Sequence, residues 1–474
     1  MIENSKLIST EVAIIKSTMV SKSINKGIEQ LGGISSFVES GDQIFININL
    51  RIPYGFPVNV NFESLRDLIV LCKEAGAKQV FIGNFPVNGA KAQAIASILG
   101  IQSYFKNLGA ELVFFEDQEK YPLEDYKLKE RIVKIPKIVL NSDKLILFNQ
   151  VSVDPLFKIT LSVLNSYSLV PTNYQRIKKV NCSRNNYLLQ DQYKQDLISN
   201  ILDIYSIKKP TLVINDMFYF LESAGPYVYK DSNLIFTGLY IIGRDAIAVD
   251  FITLSLVGID PLSSDIILEA RRRNLGITDL SKIKTVGESK TNINLNVKFT
   301  VDKLDDISIK NTAINAGRIC SGCYREAYYL LNSFKTHMTK DLKYIKRQQF
   351  LVGENPPEPN PSDQIIIFGD CAIESTKNQG FRTIRTSSDR NYIESVKERM
   401  KKDYKASKRQ KIKERKNKAI LELPGCPPDL NLSLLSIQRY YGKSQTPFLS
   451  FYAELMKTYY KPPSKSTTYS GEEQ

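Results

Sequence analysis

The sequence predicts an α/β protein: a mostly parallel sheet covered by helices, with a second, smaller C-terminal α/β domain carrying a cysteine cluster. Three observations predict this. Short apolar runs alternate with stretches of helical periodicity through residues 42–273. Hydrophobic residues make up 42% of 474 and charged residues 24%, so a sizeable core forms without staples, in more than one ordinary domain. Four of the six cysteines, Cys320, Cys323, Cys371 and Cys426, fall in the last third, two of them directly after strand-like runs.

The elements follow in order. DQIFININL (42–50) reads as a strand. FESLRDLIVLCKEAG (62–76) places Phe62, Leu65, Ile69 and Cys72 on one helix face, and Gly76 suits its C-terminal stop. Cys72 is thereby a core residue. KQVFIGNF (78–85) is a strand, a helix occupies 89–106, and ELVFFED (111–117) is a strand. Further strands fit 131–135, 144–148, 211–216, 238–243 and 293–300, and helices fit 156–168, 191–206, 246–257 and 263–273. Such alternation belongs to a sheet buried on both faces. The expected organisation is an α/β domain over 1–300, a four-cysteine α/β module over 301–460, and a disordered tail over 461–474. NPPEPNPSD (355–363) reads as a linker or extended loop.

Several classes are excluded or narrowed. The most apolar stretch, GLYIIGRDAIAVDFITLSLVG, is interrupted by Arg244, Asp245 and Asp250, so no membrane span is expected. The N-terminus lacks a signal pattern, and the expectation is a cytoplasmic protein. Six cysteines in this length are no disulfide framework; in a reducing compartment, clustered cysteines bind metal or do redox work. The formal charge of +14 is largely local. Residues 397–418 hold 12 Lys/Arg against 3 Asp/Glu, leaving +5 for the rest of the chain. This basic segment lies in a predicted helix over 391–418. It is either a solvated helix or a contact for an acidic partner, an anionic surface or nucleic acid. No nucleic-acid motif accompanies it, and Tyr404 alone makes no stacking platform. The only histidine, His337, reads as a surface residue beside lysines.

GDQIFININL (41–50), KEAGAKQVFIGNFP (73–86), KPTLVINDMFYFLESAGP (209–226) and, most specifically, GLYIIGRDAIAVDFITLSLVGIDP (238–261) resemble the family of domain of unknown function 362. The resemblance spans about residues 10–280. It implies an α/β fold and a link to iron–sulfur modules, and it implies no particular reaction. Three basic positions of the family differ here. Asn47 replaces a strand lysine, FNQVSV (148–153) lacks a lysine–histidine pair, and Leu164–Asn165 replaces a lysine–asparagine pair. Asn49, Asn165 and the acids Asp216, Glu222, Asp245 and Asp250 remain as possible cleft residues. The acids either share a site, holding a magnesium-like ion or acting as acid and base at the C-terminal sheet edge, or serve separately. In the second reading Asp245 caps a helix and Asp216 closes a turn.

The cysteines carry the sharpest pattern. RICSGCYREAYYLLNSF places Cys320 and Cys323 in a turn entering a helix, where N–H groups and Arg318 favour thiolate. IIIFGDC (365–371) and AILELPGC (419–426) each run strand, glycine, cysteine, with a helical stretch between. A parallel strand–helix–strand unit brings both strand ends to one sheet edge. Gly425 admits close backbone approach, and Pro427 and Pro428 stiffen the turn. Ferredoxin-type ligand cysteines are commonly followed by proline, and GCPP resembles a cluster-ligating segment of certain iron–sulfur redox subunits. One pair plus two singles, separated by 47 and 54 residues, fits a [4Fe–4S] cluster better than the two close pairs usual for structural zinc. Zinc, or buried thiols without metal, stay open as alternatives. Cys182 has no partner in sequence. The expected function is an iron–sulfur protein transferring electrons to a redox partner or acting on a ligand in the cleft. The alternative is a non-enzymatic, zinc-braced binding protein.

Overall fold

The structure is a computed structural model describing residues 9–86, 90–128, 131–171, 192–343, 345, 347–382 and 420–442. The predicted basic helix over 391–418, Cys182 and the tail over 461–474 lie outside the described residues. In chain order the elements are β1 (Thr10–Lys16), α1 (Ser23–Gln30), β2 (Gln43–Asn47), α2 (Phe62–Glu74), β3 (Gln79–Gly83), α3 (Ala92–Leu99), α4 (Ile101–Asn107) and β4 (Ala110–Leu112). There follow β5 (Leu123–Lys127), β6 (Ile132–Pro136), α5 (Lys137–Asn141), β7 (Lys144–Asp154), β8 (Lys158–Ile159), α6 (Ser162–Asn165), α7 (Gln192–Ile207), β9 (Leu212–Glu222) and β10 (Asn233–Gly243). The remainder are α8 (Ala246–Leu256), α9 (Asp265–Arg272), β11 (Ile283–Gly287), β12 (Thr312–Ala316), α10 (Ser321–His337), β13 (Gln348–Val352), β14 (Gln364–Phe368), α11 (Asp370–Ser375), β15 (Leu421–Leu423) and α12 (Leu430–Tyr441).

The first sheet runs β11-β1-β10-β9-β7-β2-β3-β4, with β8 attached to β7. Strands β9, β7, β2, β3 and β4 are mutually parallel, as the alternating pattern predicts. Antiparallel β10 lies between β1 and β9. Alternation of side chains sorts the two faces. Leu145, Leu147, Val213 and Ile241 face one core with α7, α8 and α9, while Ile44, Ile46, Ile146, Ile214 and Ile242 face the other with α1, α2 and α3. Cys72 belongs to the second core, and burial raises its thiol to about 12. The second sheet, β12-β13-β14-β15, is wholly parallel. One of its faces packs on α10 and α12 through Phe350, Phe368, Leu331 and Leu434. Among the described residues no helix is long and apolar enough to cross a membrane.

Three expectations are revised. The helix expected over 89–106 is two helices, because Gly100 takes a left-handed conformation (φ 67°) between them. The segment expected as a helix over 156–168 is a short strand, one α-turn and a 3-10 turn. INLNVKFT (293–300) is no strand: near Lys298 it donates to the Glu222 side chain and accepts from the Ser223 N–H, crossing from the first sheet to the second without a ladder partner.

Helix α8 is apolar all round and buried almost throughout, so its unpaired N–H groups cannot reach water. Asp245 satisfies two of them, accepting from Ile247 (2.9 Å) and Ala248 (3.3 Å), and also accepts from the Ile277 N–H (2.7 Å). Asp245→Ala should therefore lower unfolding free energy by about 2 kcal/mol or more, measured by denaturant titration.

Candidate functional site

The parallel order of the second sheet fixes where its loops emerge. Cys320 follows β12, Cys371 follows β14 and Cys426 follows β15, all beyond C-terminal strand ends and hence at one edge. Cys320 caps α10, and Cys323 lies in its first turn. The Cys320 thiol is drawn down to about 6 by the Cys323 thiol and by the N–H groups of Cys323, Gly322 and its own residue, against the effect of burial. Cys323 is pushed up by the hydrogen bond to Cys320 and by burial, and it senses the charges of Cys426 and Cys371 as well. The loops carrying the last two are knitted together. The Gly369 N–H donates to Leu423 O (2.9 Å), the Asp370 N–H to Gly425 O (3.0 Å), and the Gly425 N–H to Asp370 Oδ1 (2.8 Å). Gly369 has φ 94°, and a Cβ there would lie 3.3 Å from Cys323 Sγ. The glycine of the strand–glycine–cysteine pattern thus leaves room for the sulfur. Among the described residues, no group of three or more His, Cys, Asp or Glu side chains stands ready in metal-holding geometry.

Beside this edge lies a cavity of about 400 Å³. Its lower wall comes from the C-terminal ends of β2 and β7 and the chain after them: Asn49, Arg51, Asn149, Asp154 and Asn165. Open α/β sheets place ligands at such strand ends. Its upper wall comes from α10 and the segment after β15, including Arg325, Glu326, Tyr329 and Cys426 itself. Arg325, Glu326 and Tyr329 share a helix face by their spacing. The Tyr193 ring, from α7, lies against Gly322, where a Cβ would approach within 2.9 Å.

The polar groups here are deeply buried. Arg51 is 7% exposed; its Nη1 donates to Val58 O (2.9 Å), and its backbone is held by Asn59. Burial pulls its guanidinium below the ordinary arginine value, with Tyr227, Tyr329 and Asp154 opposing. Burial also disfavours the Arg325 charge, but Tyr193, Glu326 and Tyr329 outweigh it and hold that guanidinium above its usual range. Arg325 Nη2 donates to Tyr193 Oη (2.8 Å) and Glu326 Oε1 (2.9 Å). Burial raises the Asp154 carboxyl, although its Oδ1 accepts from Leu156 and Phe157 (both 2.8 Å).

Of the residues singled out from sequence, Asn49 and Asn165 line the cavity and bond to each other (Nδ2 to Oδ1, 2.6 Å). The four acids do not line it. Glu222 binds Asn233 and the Lys298 N–H, and Asp250 accepts from Ser162, Val163 and Asn215, tying α8 to α6. Asp216 accepts from the Phe218 N–H (2.9 Å). They are therefore not gathered into one ion-binding or acid–base set, because each is engaged with its own stretch of backbone or side chains. His337, expected at the surface, is half-buried at the end of α10, and burial lowers it to about 4. Sequence reading passed over Arg51, Asp154, Arg325 and the tyrosines. The available signals were a charge directly after the ININL run and the Arg-Glu pair one turn beyond the Cys-x-x-Cys.

Residues 44–255 match the family Domain of unknown function (DUF362). The match supports the resemblance seen in the strand and helix motifs. It runs from β2 into α8 and takes in the lower wall of the cavity, while the four-cysteine edge lies outside it. A comparison with curated proteins gives no match.

Asp216 supplies a test of the interior of the first sheet. Burial raises its carboxyl to about 7, and among the described residues its Oδ2 has no hydrogen-bond partner. An unfolded aspartate ionises near ~3.9, so between about pH 4 and 7 the folded chain retains a proton that the unfolded chain has lost. Stability from this group therefore falls as pH rises through that window. Asp216→Asn should gain stability relative to the parent, on the order of 1–3 kcal/mol, between about pH 5 and about pH 8 in denaturant titrations.

Proposed function

We propose that Cys320, Cys323, Cys371 and Cys426 hold a [4Fe–4S] cluster, and that the chain is an iron–sulfur protein serving electron transfer or redox chemistry on a ligand in the adjoining cavity. When bound, such a cluster supplies one-electron transfer at a potential tuned by hydrogen bonds and exposure. The observation that carries the reading is the shared edge: three loops from parallel strands deliver four thiols, and Cys426 also lines the cavity. The donor set fits the group. The Cys323 thiol and the N–H groups at the start of α10 lower the Cys320 thiol, and Gly369 keeps the space next to Cys323 Sγ clear. A metal site seldom stands preformed in the apo chain, so side-chain rotation on loading is part of the reading. A reducing, cytoplasmic compartment suits thiolate ligands.

The cavity residues would act on the ligand. Arg51 and Arg325 present donors, Asn49 and Asn165 fix one wall, and the tyrosines exclude water. A domain organisation with the first sheet as ligand platform and the second as cluster carrier follows from the same reading.

Anaerobic purification should give a brown protein with broad absorbance near roughly 400 nm and about four irons per chain. Cys426→Ser should cut the iron content by more than half, measured by metal analysis on folded protein. A colourless chain that takes up no iron on anaerobic reconstitution would sink the reading. One zinc per chain in place of iron would favour a braced binding protein docking an acidic partner instead.

A further inference from the structure

We propose that the cavity binds a small organic oxyanion, a carboxylate or a phosphate ester, held between Arg51 and Arg325. The inference takes the cavity as the ligand cleft of the reading above, and it does not require the cluster. Arg51 is the starting point. It is buried, yet among the described residues no carboxylate lies within ion-pair distance of it, and its side chain makes one hydrogen bond, to Val58 O. An enclosed, unpaired cation is among the most unfavourable arrangements a fold can contain, and proteins keep such groups paired or ligated. Its remaining N–H donors have no protein acceptor among the described residues and border the cavity.

Arg325, carried by α10, lines the same cavity. Its Nε and Nη2 are engaged by Glu326 and Tyr193, while Nη1 has no acceptor among the described residues. Two guanidiniums lining one cavity match the planar oxygens of a carboxylate or phosphate. The acids on the walls do not close the site. Glu326 already pairs with Arg325, and Asp154, whose Oδ1 accepts from the Leu156 and Phe157 N–H groups, acts on both guanidiniums electrostatically but among the described residues lies beyond ion-pair distance of either.

A second, independent observation marks the space as a binding site. Asn165 and Asn149 line the cavity, and among the described residues the buried Asn165 Nδ2 and Asn149 Oδ1 have no hydrogen-bond partner. Buried amide atoms are nearly always satisfied, so a donor and an acceptor left open on one wall point to a polar ligand. The Asn165 donor adds to the arginines for an oxyanion, and the Asn149 acceptor suits a hydroxyl elsewhere on the same molecule. Tyr227 and Tyr329, which also line the cavity, favour a ligand with a flat organic body.

The test uses the full-length chain, purified anaerobically, in isothermal titrations with three probes: 4-hydroxybenzoate, its neutral amide 4-hydroxybenzamide, and inorganic phosphate. Binding of 4-hydroxybenzoate at least about tenfold tighter than the amide supports a carboxylate ligand, and binding of phosphate alone supports a phosphate ester. Arg51→Met should abolish the preference for the anion, and Arg51→Lys should retain part of it. Failure of the parent protein to bind either anion better than the amide overturns the proposal, whatever the variants do. An anion preference that survives in folded Arg51→Met overturns it too. Iron analysis on the same samples separates the two readings: an iron-free chain that prefers the anion loses the cluster and keeps the oxyanion site, and an iron-loaded chain with no preference does the reverse.

Discussion

Parallel pairing of β12, β13, β14 and β15 obliges the chain to leave every one of these strands at the same edge. A parallel pair cannot be joined by a tight hairpin, so each connection must run back across the sheet before the next strand begins. The consequence is geometric and chemical together. Cys320, Cys371 and Cys426 are separated by long stretches of sequence, yet each occupies the exit of a strand in one small sheet. The same rule acts in the first sheet, where β2, β7 and β9 deliver Asn49, Asn149 and Tyr227 near their C-terminal ends. The cavity arises because these two exit edges meet, with α10 belonging to one wall and contributing both Cys323 and Arg325.

Helix α10 carries both a cysteine of the second-sheet edge and cavity-lining residues for a simple reason of spacing. Its first turn offers N–H groups to the Cys320 sulfur, and its next turn turns Arg325 and Glu326 into the cavity. Gly322 lets this helix end settle on the Tyr193 ring, and Tyr193 in turn accepts from Arg325. Displacement of the helix would move the thiols and the guanidinium together. Few residues separate the Cys-x-x-Cys turn from Arg325, so each constrains the other's position.

Much of the architecture was legible because apolar runs of strand length, bounded by glycine and polar residues, admit few alternatives when buried on both faces. QIFIN, QVFIG and LILFN read directly as central parallel strands. INLNVKFT carries the same local pattern and is not a strand, because a ladder also needs a partner and no propensity supplies one. The antiparallel insertion of β10 was equally invisible, since strand direction is a property of connections. At the site, cysteines and glycines were legible because their types are rare and their backbone demands specific. Arg51 and Arg325 were not, in a chain with 64 Lys and Arg. A guanidinium acquires meaning only when it is known to be enclosed, and enclosure is a tertiary fact.

The contrast between the acids and the cavity residues shows what enclosure decides. Asp245 and Asp250 look functional in sequence, standing among apolar residues where a charge is costly. Asp245 accepts from the first N–H groups of its own helix and from Ile277, and Asp250 from Ser162, Val163 and Asn215, so the hydrogen-bonding capacity of each is met inside the protein. Asn149 and Asn165 are enclosed to a similar degree, but among the described residues Asn149 Oδ1 and Asn165 Nδ2 have no hydrogen-bond partner, and both residues line one cavity with Arg51. A satisfied buried group stabilises the fold, whereas an unsatisfied one weakens it unless something else completes it. Stability alone would select against such groups, and the proposed ligand gives a physical reason for keeping them beside one cavity.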